Sequence, residues 1–303
     1  MDMYLPEQYN KKTFGNYKFS ELRDACESGA ILEAVVTKCD RDLNLEVDLG
    51  NNAIGIIPFN EFEYPMMGKP TKTVAVLSKV GKAVKFKVKS ISKSNGVMTC
   101  RLSRKEAQMD CYDNYIKKLK VGQVISARAT YVESYGVFCD VGCGIVALLP
   151  IENLCTTRIN DPKNTMNNLG NLKVVVKSLD NNRITLTHKE LLGTWEEEAS
   201  KFEDGVTVTG IVRIIEDYGI FVQLTPNLVG LADVYPGISV GDSVSVFVKS
   251  IFPDKMKIKL IIIGKNECID NYTHFEYKIP ESGFITDWVY SPESCPKRIE
   301  THF

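Results

Sequence analysis

The 303-residue chain contains no run of 18 consecutive apolar residues, so nothing in it reads as a membrane-spanning helix. Met1 to Asn10 has neither a basic cluster nor an apolar stretch, and no secretory leader is expected. Histidine is scarce, with only three, at positions 188, 274 and 302. The nine cysteines are odd in number, scattered, and free of any CxxC pair or neighbouring histidine. A structural zinc site or a disulfide framework is therefore not expected, and a reducing cytoplasm is the expected compartment. No phosphate loop, HExxH or GxSxG motif occurs, so the chain is not expected to be an enzyme or to need a cofactor or metal.

What is present is ordinary globular composition, 44% apolar and 25% charged, with a formal net charge of −1. The charge is unevenly spread. Residues 1–110 and 111–193 each carry a net +3, whereas 194–264 carry −4 and 265–303 carry −3. Between Lys69 and Lys105 stand eleven Lys or Arg and no acid. That imbalance predicts a positive surface suited to a polyanion.

An internal repeat organises the rest. Gly122-Gln-Val-Ile-Ser-Ala127 is echoed by Gly205-Val-Thr-Val-Thr-Gly210. Tyr135-Gly136-Val137-Phe138 is echoed by Tyr218-Gly219-Ile220-Phe221, and Ala147-Leu148-Leu149 by Gly230-Leu231-Ala232, all at an offset of 83 residues. A weaker copy runs from Gly29 through Ala34 and Asp48 to Gly55-Ile56-Ile57. Units of this length are small domains rather than solenoid repeats. In the middle copy, strands are predicted over 124–132, 137–141, 145–149, 172–178 and 183–187, with Asp180-Asn181-Asn182 as the last turn. Five short β-branched strands in so few residues suit a closed barrel. The joints read as short amphipathic helices. Residues 20–28 end at Gly29, Tyr112, Tyr115, Ile116 and Leu119 share a stripe, and Thr194 with Glu197 forms a capping box.

These motifs, with a final K-S-(I/L)…(R/K)-I-x-L strand and the joint His188-Lys189-Glu190-Leu-Leu-Gly-Thr-Trp195, resemble the S1 RNA-binding domain. That domain is the OB-fold module of small-subunit ribosomal protein S1, and the chain resembles a short, three-repeat bacterial relative of it. The resemblance implies an all-β chain of three tandem five-stranded OB-fold barrels joined by short helices. The expected divisions are an N-terminal segment (1–28), a degenerate barrel (29–108), two further barrels (109–190 and 191–264) and a C-terminal extension (265–303).

Alternation puts Val137, Cys139 and Val141 on one strand face, with Phe138 and Asp140 on the other. The third copy likewise sets Ile220, Val222 and Leu224 against Phe221 and Gln223. An aromatic sharing a face with Asp or Gln is expected on the wet side, where it can stack on nucleobases. The resemblance assigns RNA contact to Tyr135 and Phe138, to Tyr218 and Phe221, and to the basic residues opening the last strands, Arg183 and Lys257. Arg128 and Arg213, on the first strands, are expected to reach the same face. The sequence departs from the family at Pro58, Pro150 and Asp233, where many members carry His, and in the first copy Glu46 occupies the stacking position. By resemblance, that first barrel is expected to dock on the small ribosomal subunit. The expected partner of the others is single-stranded RNA, the chain being a monomer. Two alternatives stay open: a protein-interaction scaffold, and a regulator of transcripts away from the ribosome. The extension, with seven aromatics in 39 residues, is expected to pack on the third barrel or a partner.

Overall fold

The computed structural model describes residues 2–10, 14–65, 70–94, 96–159, 162–164, 170–180, 183–266 and 275–303. Five strands close the first barrel: β1 (Ile31–Cys39), β2 (Leu45–Gly50), β3 (Ala53–Ile57), β4 (Ala83–Ser94) and β5 (Val97–Ser103). The second uses β6 (Val124–Glu133), β7 (Gly136–Gly142), β8 (Ile145–Pro150), β9 (Asn171–Asp180) and β10 (Arg183–Thr187). The third uses β11 (Thr207–Glu216), β12 (Gly219–Thr225), β13 (Leu228–Ala232), β14 (Ser243–Phe252) and β15 (Lys257–Lys265). In each, the third and fifth strands pair in parallel, which closes the barrel and leaves no open edge. The predicted strands of the middle copy recur within a residue or two at each end. Asn181 and Asn182, of the predicted last turn, lie outside the described residues.

Strand alternation explains why these segments close. Along β15, Ile258, Leu260 and Ile262 are buried while Lys257, Lys259, Ile261 and Ile263 are exposed. The period of two thus supplies one apolar face to the core.

Helix α1 (Phe19–Ser28) ends at Gly29, whose φ of 69° lets its N–H reach the Ala25 carbonyl. After β5 and the short α2 (Thr73–Leu77), α3 (Arg104–Asn114) begins at Ser103, whose hydroxyl accepts from the Glu106 N–H at 2.9 Å. The predicted stripe through Tyr112 and Leu119 is broken at Tyr115. Its φ of −127° ends the α-helix, and a 3₁₀ turn over Ile116–Lys118 follows. Helix α4 (Trp195–Ala199) carries the predicted Thr194–Glu197 capping box.

Two compact units emerge: residues 1–119 with 126–128 and 140–147, and residues 120–125 and 129–139 with 148–303. In the first unit, residues 2–9 form a strap. Tyr4 stacks on Tyr115 and donates to Asp110, and the Leu5 carbonyl accepts from the Cys143 N–H. Buried Glu7 receives two hydrogen bonds from the Arg104 guanidinium, at 2.7 and 3.2 Å, and one from Lys79 at 2.7 Å. Its backbone N–H donates to Asp140 at 2.7 Å. Burial alone would raise the Glu7 carboxyl, but the Arg104 and Lys79 charges outweigh it and hold the group at about 2. Asp140 goes the other way, to about 7, because burial and the Glu7 charge outweigh its bonds from backbone N–H groups.

This strap corrects the expectation of a broad positive surface over 69–105. Lys79 and Arg104 are spent on Glu7, Lys85 is buried against the Met3 carbonyl, Lys87 pairs with Asp110, and Lys89 with Glu106. The stretch holds no acid of its own, but acids from the N-terminal strap and from α3 fold onto it. Lys72, Lys82, Lys93 and Arg101 remain exposed; Lys69 lies outside the described residues.

In the second unit the C-terminal extension packs on the third barrel. Ile285, Trp288 and Tyr290 join Trp195, Val212, Ile220 and Leu191 in one buried cluster. A small sheet of β16 (Asp287–Val289) and β17 (Glu300–His302) holds the turn. Gly122, at φ +82°, accepts a backbone hydrogen bond there from the Ile285 N–H, and the Ile285 carbonyl would stand 2.2 Å from an added Cβ. His188 is fully buried, edge-on to Phe275 at 4.6 Å and Tyr277 at 5.5 Å. Its Nδ1 lies 2.9 Å from the Leu154 carbonyl, an acceptor, so Nδ1 carries the proton. Burial pushes this imidazole down to about 4, against that bond.

Candidate nucleic-acid interface

The Tyr-Gly-x-Phe hairpins are built alike. At Gly136 an added Cβ would stand 2.5 Å from the Leu149 carbonyl oxygen, and at Gly219 2.6 Å from that of Ala232. Only glycine allows the backbone so close, and the preceding tyrosine is thereby turned outward. Tyr135 is 53% exposed and Tyr218 68%. Each meets its phenylalanine edge-on with the same geometry: the centroids of Tyr135–Phe138 and of Tyr218–Phe221 are both 6.1 Å apart at 89°.

The expected wet face is divided. Phe138 and Phe221 are half-buried, whereas Asp140 and Gln223 are buried. Asp140 is taken up by N–H groups of Glu7, Gly142 and Gly144. Gln223 accepts from Arg213 Nε at 2.7 Å and donates to the Pro226 carbonyl. Arg213 is thereby corrected as a free surface cation: it is 6% exposed, and burial lowers its guanidinium. A β-bulge between Val212 and Ile214 drops it out of the outward row. Arg128 is half-buried, and its charge acts on Glu33 within the first unit. Arg183 and Lys257 are exposed at the starts of β10 and β15.

Strand register places what the sequence pattern missed. In the third barrel, Ile214, Phe221, Leu231 and Lys259 lie side by side across four strands. Lys259, two residues beyond Lys257, therefore shares the row of the ring, its ammonium 5.7 Å from the Phe252 centroid. The first barrel's row is Lys38, Glu46, Ile56 and Arg101. Thr37 Oγ1 donates to the Glu46 carbonyl there as Thr130 Oγ1 does to that of Phe138, so Glu46 does hold the place of the ring. Tyr131 of the middle barrel was also missed. It is 58% exposed and lies nearly parallel to Phe138, with centroids 6.5 Å apart at 26°. Its signal was available: 83 residues on stands Ile214, in the same row as Phe221.

Electrostatics separate the two ring-bearing barrels. Exposed Glu216 and Asp217 immediately precede Tyr218, whereas only half-buried Glu133 lies near Tyr135. Among the described residues no cluster of His, Cys, Asp or Glu is placed to hold a metal ion, and no helix is long and apolar enough to cross a membrane. The arrangement offers partly exposed rings on two barrels, with Lys259 level with the ring of the third, a surface suited to stacking.

The chain has similarities to known proteins. Residues 26–101, the first barrel, match the family described as the S1 RNA binding domain. The match falls on the copy without the ring motif, whose buried Ala34, Val36, Leu45 and Val47 keep the barrel's core pattern. The chain is 29% identical over 203 residues to small ribosomal subunit protein bS1 of Rhizobium meliloti (strain 1021), covering 61% of this chain and 35% of that protein. For the protein of that name from Staphylococcus aureus (strain COL), the identity is 25% over 221 residues, 71% of this chain and 54% of the relative. The chain thus spans about a third to a half of the length of these curated relatives. Among solved structures, a multidomain protein with nucleic acid binding domains from Streptococcus pneumoniae aligns with 79% of this chain and 75% of its own, at 16% identity and a TM-score of 0.26.

Proposed function

We propose that this chain, which carries the S1 RNA-binding domain and is similar to bS1 proteins over 60–74% of its length, binds single-stranded RNA in translation. The observation that carries the reading is the twin Tyr–Phe pair, with one geometry repeated 83 residues apart on two barrels. Tyr135 with Phe138, and Tyr218 with Phe221, stack bases; Arg183, Lys257 and Arg128 meet phosphates, and Arg213 supports the third platform through Gln223. Single-strand preference follows from the chemistry, because a base paired in a duplex does not offer its face. The first barrel, with Glu46 where the ring would be, repels phosphate there and instead docks on the small ribosomal subunit. The chain acts by holding RNA, without catalysis.

The test is fluorescence anisotropy of a labelled 15-nucleotide single-stranded RNA at two salt concentrations. Phe138→Ala/Phe221→Ala is expected to weaken binding at least tenfold, each stacked base being worth about 1–3 kcal/mol. The wild type's log–log salt slope is expected near −0.7 per phosphate contacted. A wild type that binds no RNA at low salt rejects the reading and favours the protein scaffold. In a second arm, co-sedimentation with small ribosomal subunits is expected to fail for Lys38→Glu/Arg101→Glu while RNA binding persists. The reverse pattern rejects docking by the first barrel.

A further inference from the structure

The three barrels present unequal versions of one row. Beside the second-strand position stand Lys38 in the first barrel, Tyr131 in the second and Ile214 in the third. The middle barrel therefore gathers three rings: Tyr131 nearly parallel to Phe138, and Tyr135 edge-on to it. At the corresponding positions the third barrel has two rings, Tyr218 and Phe221, and the first has none.

Tyr131 does little for the barrel that carries it. More than half of it faces solvent, and the cores of the barrels are filled from the opposite strand face. The third barrel closes with isoleucine at the same place. As a cross-strand pair, Tyr131 and Phe138 contribute only modestly to a sheet. What the tyrosine adds is flat π surface alongside an existing stacking ring, in the barrel whose tyrosine hairpin carries fewer acids.

We propose that Tyr131 seats an additional nucleobase, so that the middle barrel holds one more nucleotide of single-stranded RNA than the third and is the tighter of the two sites. This rests on the RNA-binding reading above. The ring recognises any base by its face, so the added nucleotide brings affinity and length rather than sequence preference. Because Tyr131 contacts a base and no phosphate, it leaves the salt dependence unchanged.

The experiment uses the full chain and oligouridylates of 4 to roughly 16 nucleotides, the range of site sizes for such barrels. Tyr131→Ile, which installs the third barrel's own residue, is expected to weaken binding roughly 5- to 150-fold, as one stacked base requires. The weakening should come with an unchanged salt slope and an unchanged urea midpoint. Tyr131→Phe should bind as the wild type does, and Ile214→Tyr should strengthen binding and lengthen the shortest saturating oligomer. If Phe138→Ala weakens binding but Tyr131→Ile does not, the added seat is rejected and the RNA reading survives. Failure of the wild type to bind any oligouridylate removes both. A Tyr131→Ile loss matched by a fall in the urea midpoint assigns the residue to stability and also overturns the proposal.

Discussion

Replacing Arg104 with methionine isolates the contribution of the strap. The methionine fills much of the guanidinium's space but leaves the Glu7 carboxylate buried with Lys79 as its remaining charged partner. Two routes give the cost. Glu7 is held at about 2 against an ordinary 4.5. At about 1.4 kcal/mol per pKa unit, that gap corresponds to roughly 3 kcal/mol of stabilisation of the ionised form. Independently, breaking a buried ion pair by removing one partner costs about 3–5 kcal/mol. Arg104→Met is therefore expected to destabilise the first unit by about 3 kcal/mol at pH 7. The sign with pH follows from linkage: a carboxyl depressed in the folded state contributes fully above about 4.5 and loses that contribution as pH falls toward 2. The wild type should lose roughly 3 kcal/mol over that window relative to Glu7→Gln, in which residue 7 no longer titrates. Both tryptophans, Trp195 and Trp288, lie in the second unit, so their fluorescence is the wrong probe. Urea unfolding followed by far-UV circular dichroism, with hydrogen exchange on residues 14–65, reads the first unit directly. A cost below about 1 kcal/mol at pH 7, or parallel pH profiles for the wild type and Glu7→Gln, would refute the reasoning.

The second unit should titrate in a different window. His188, lowered to about 4 from 6.5 by burial, contributes stability above pH 6.5 that is lost as pH falls to 4, roughly 3 kcal/mol in all. Tryptophan-monitored unfolding should register that loss, and His188→Phe should flatten it; identical slopes in the two proteins would contradict the assignment. Gly122→Ala pairs backbone strain at φ +82° with a collision against the Ile285 carbonyl, whereas Gly205→Ala has the strain, at φ +88°, with nothing within 4 Å. The first is expected to exceed the second in destabilisation and to expose residues 275–303 to protease. Equal effects would mean that the extension yields without resistance.

The barrels were legible because they depend on period-two alternation and on turn glycines, both written locally. Gly136 and Gly219 stand out locally as the repeated glycine of the Tyr-Gly-x-Phe motif. Glu46 in the ring position was legible for the same reason. What escaped was set by pairing and register, which no single segment displays. The acid-free stretch from 69 to 105 looked cationic because its counter-charges lie at Glu7, Glu106 and Asp110. Arg213 looked exposed because a bulge is invisible in an alternating pattern. Lys259 was passed over in favour of Lys257 because the parallel pairing of β13 with β15 fixes which lysine lies level with the ring. Tyr131 was missed although the repeat offset contained it.

The strap also sets a timetable. The Glu7 backbone N–H donates to Asp140, 133 positions later in the chain. Synthesis at about 5–20 residues per second leaves an interval of roughly 7–27 s in which residues 2–9 have emerged but their distant acceptor has not. During that interval the Glu7–Arg104 pair, complete once α3 exists, lacks the Asp140–Cys143 hairpin that covers it. The strap is thus made well before the acceptor that locks it, so residues 2–9 record whether the second barrel has begun to fold.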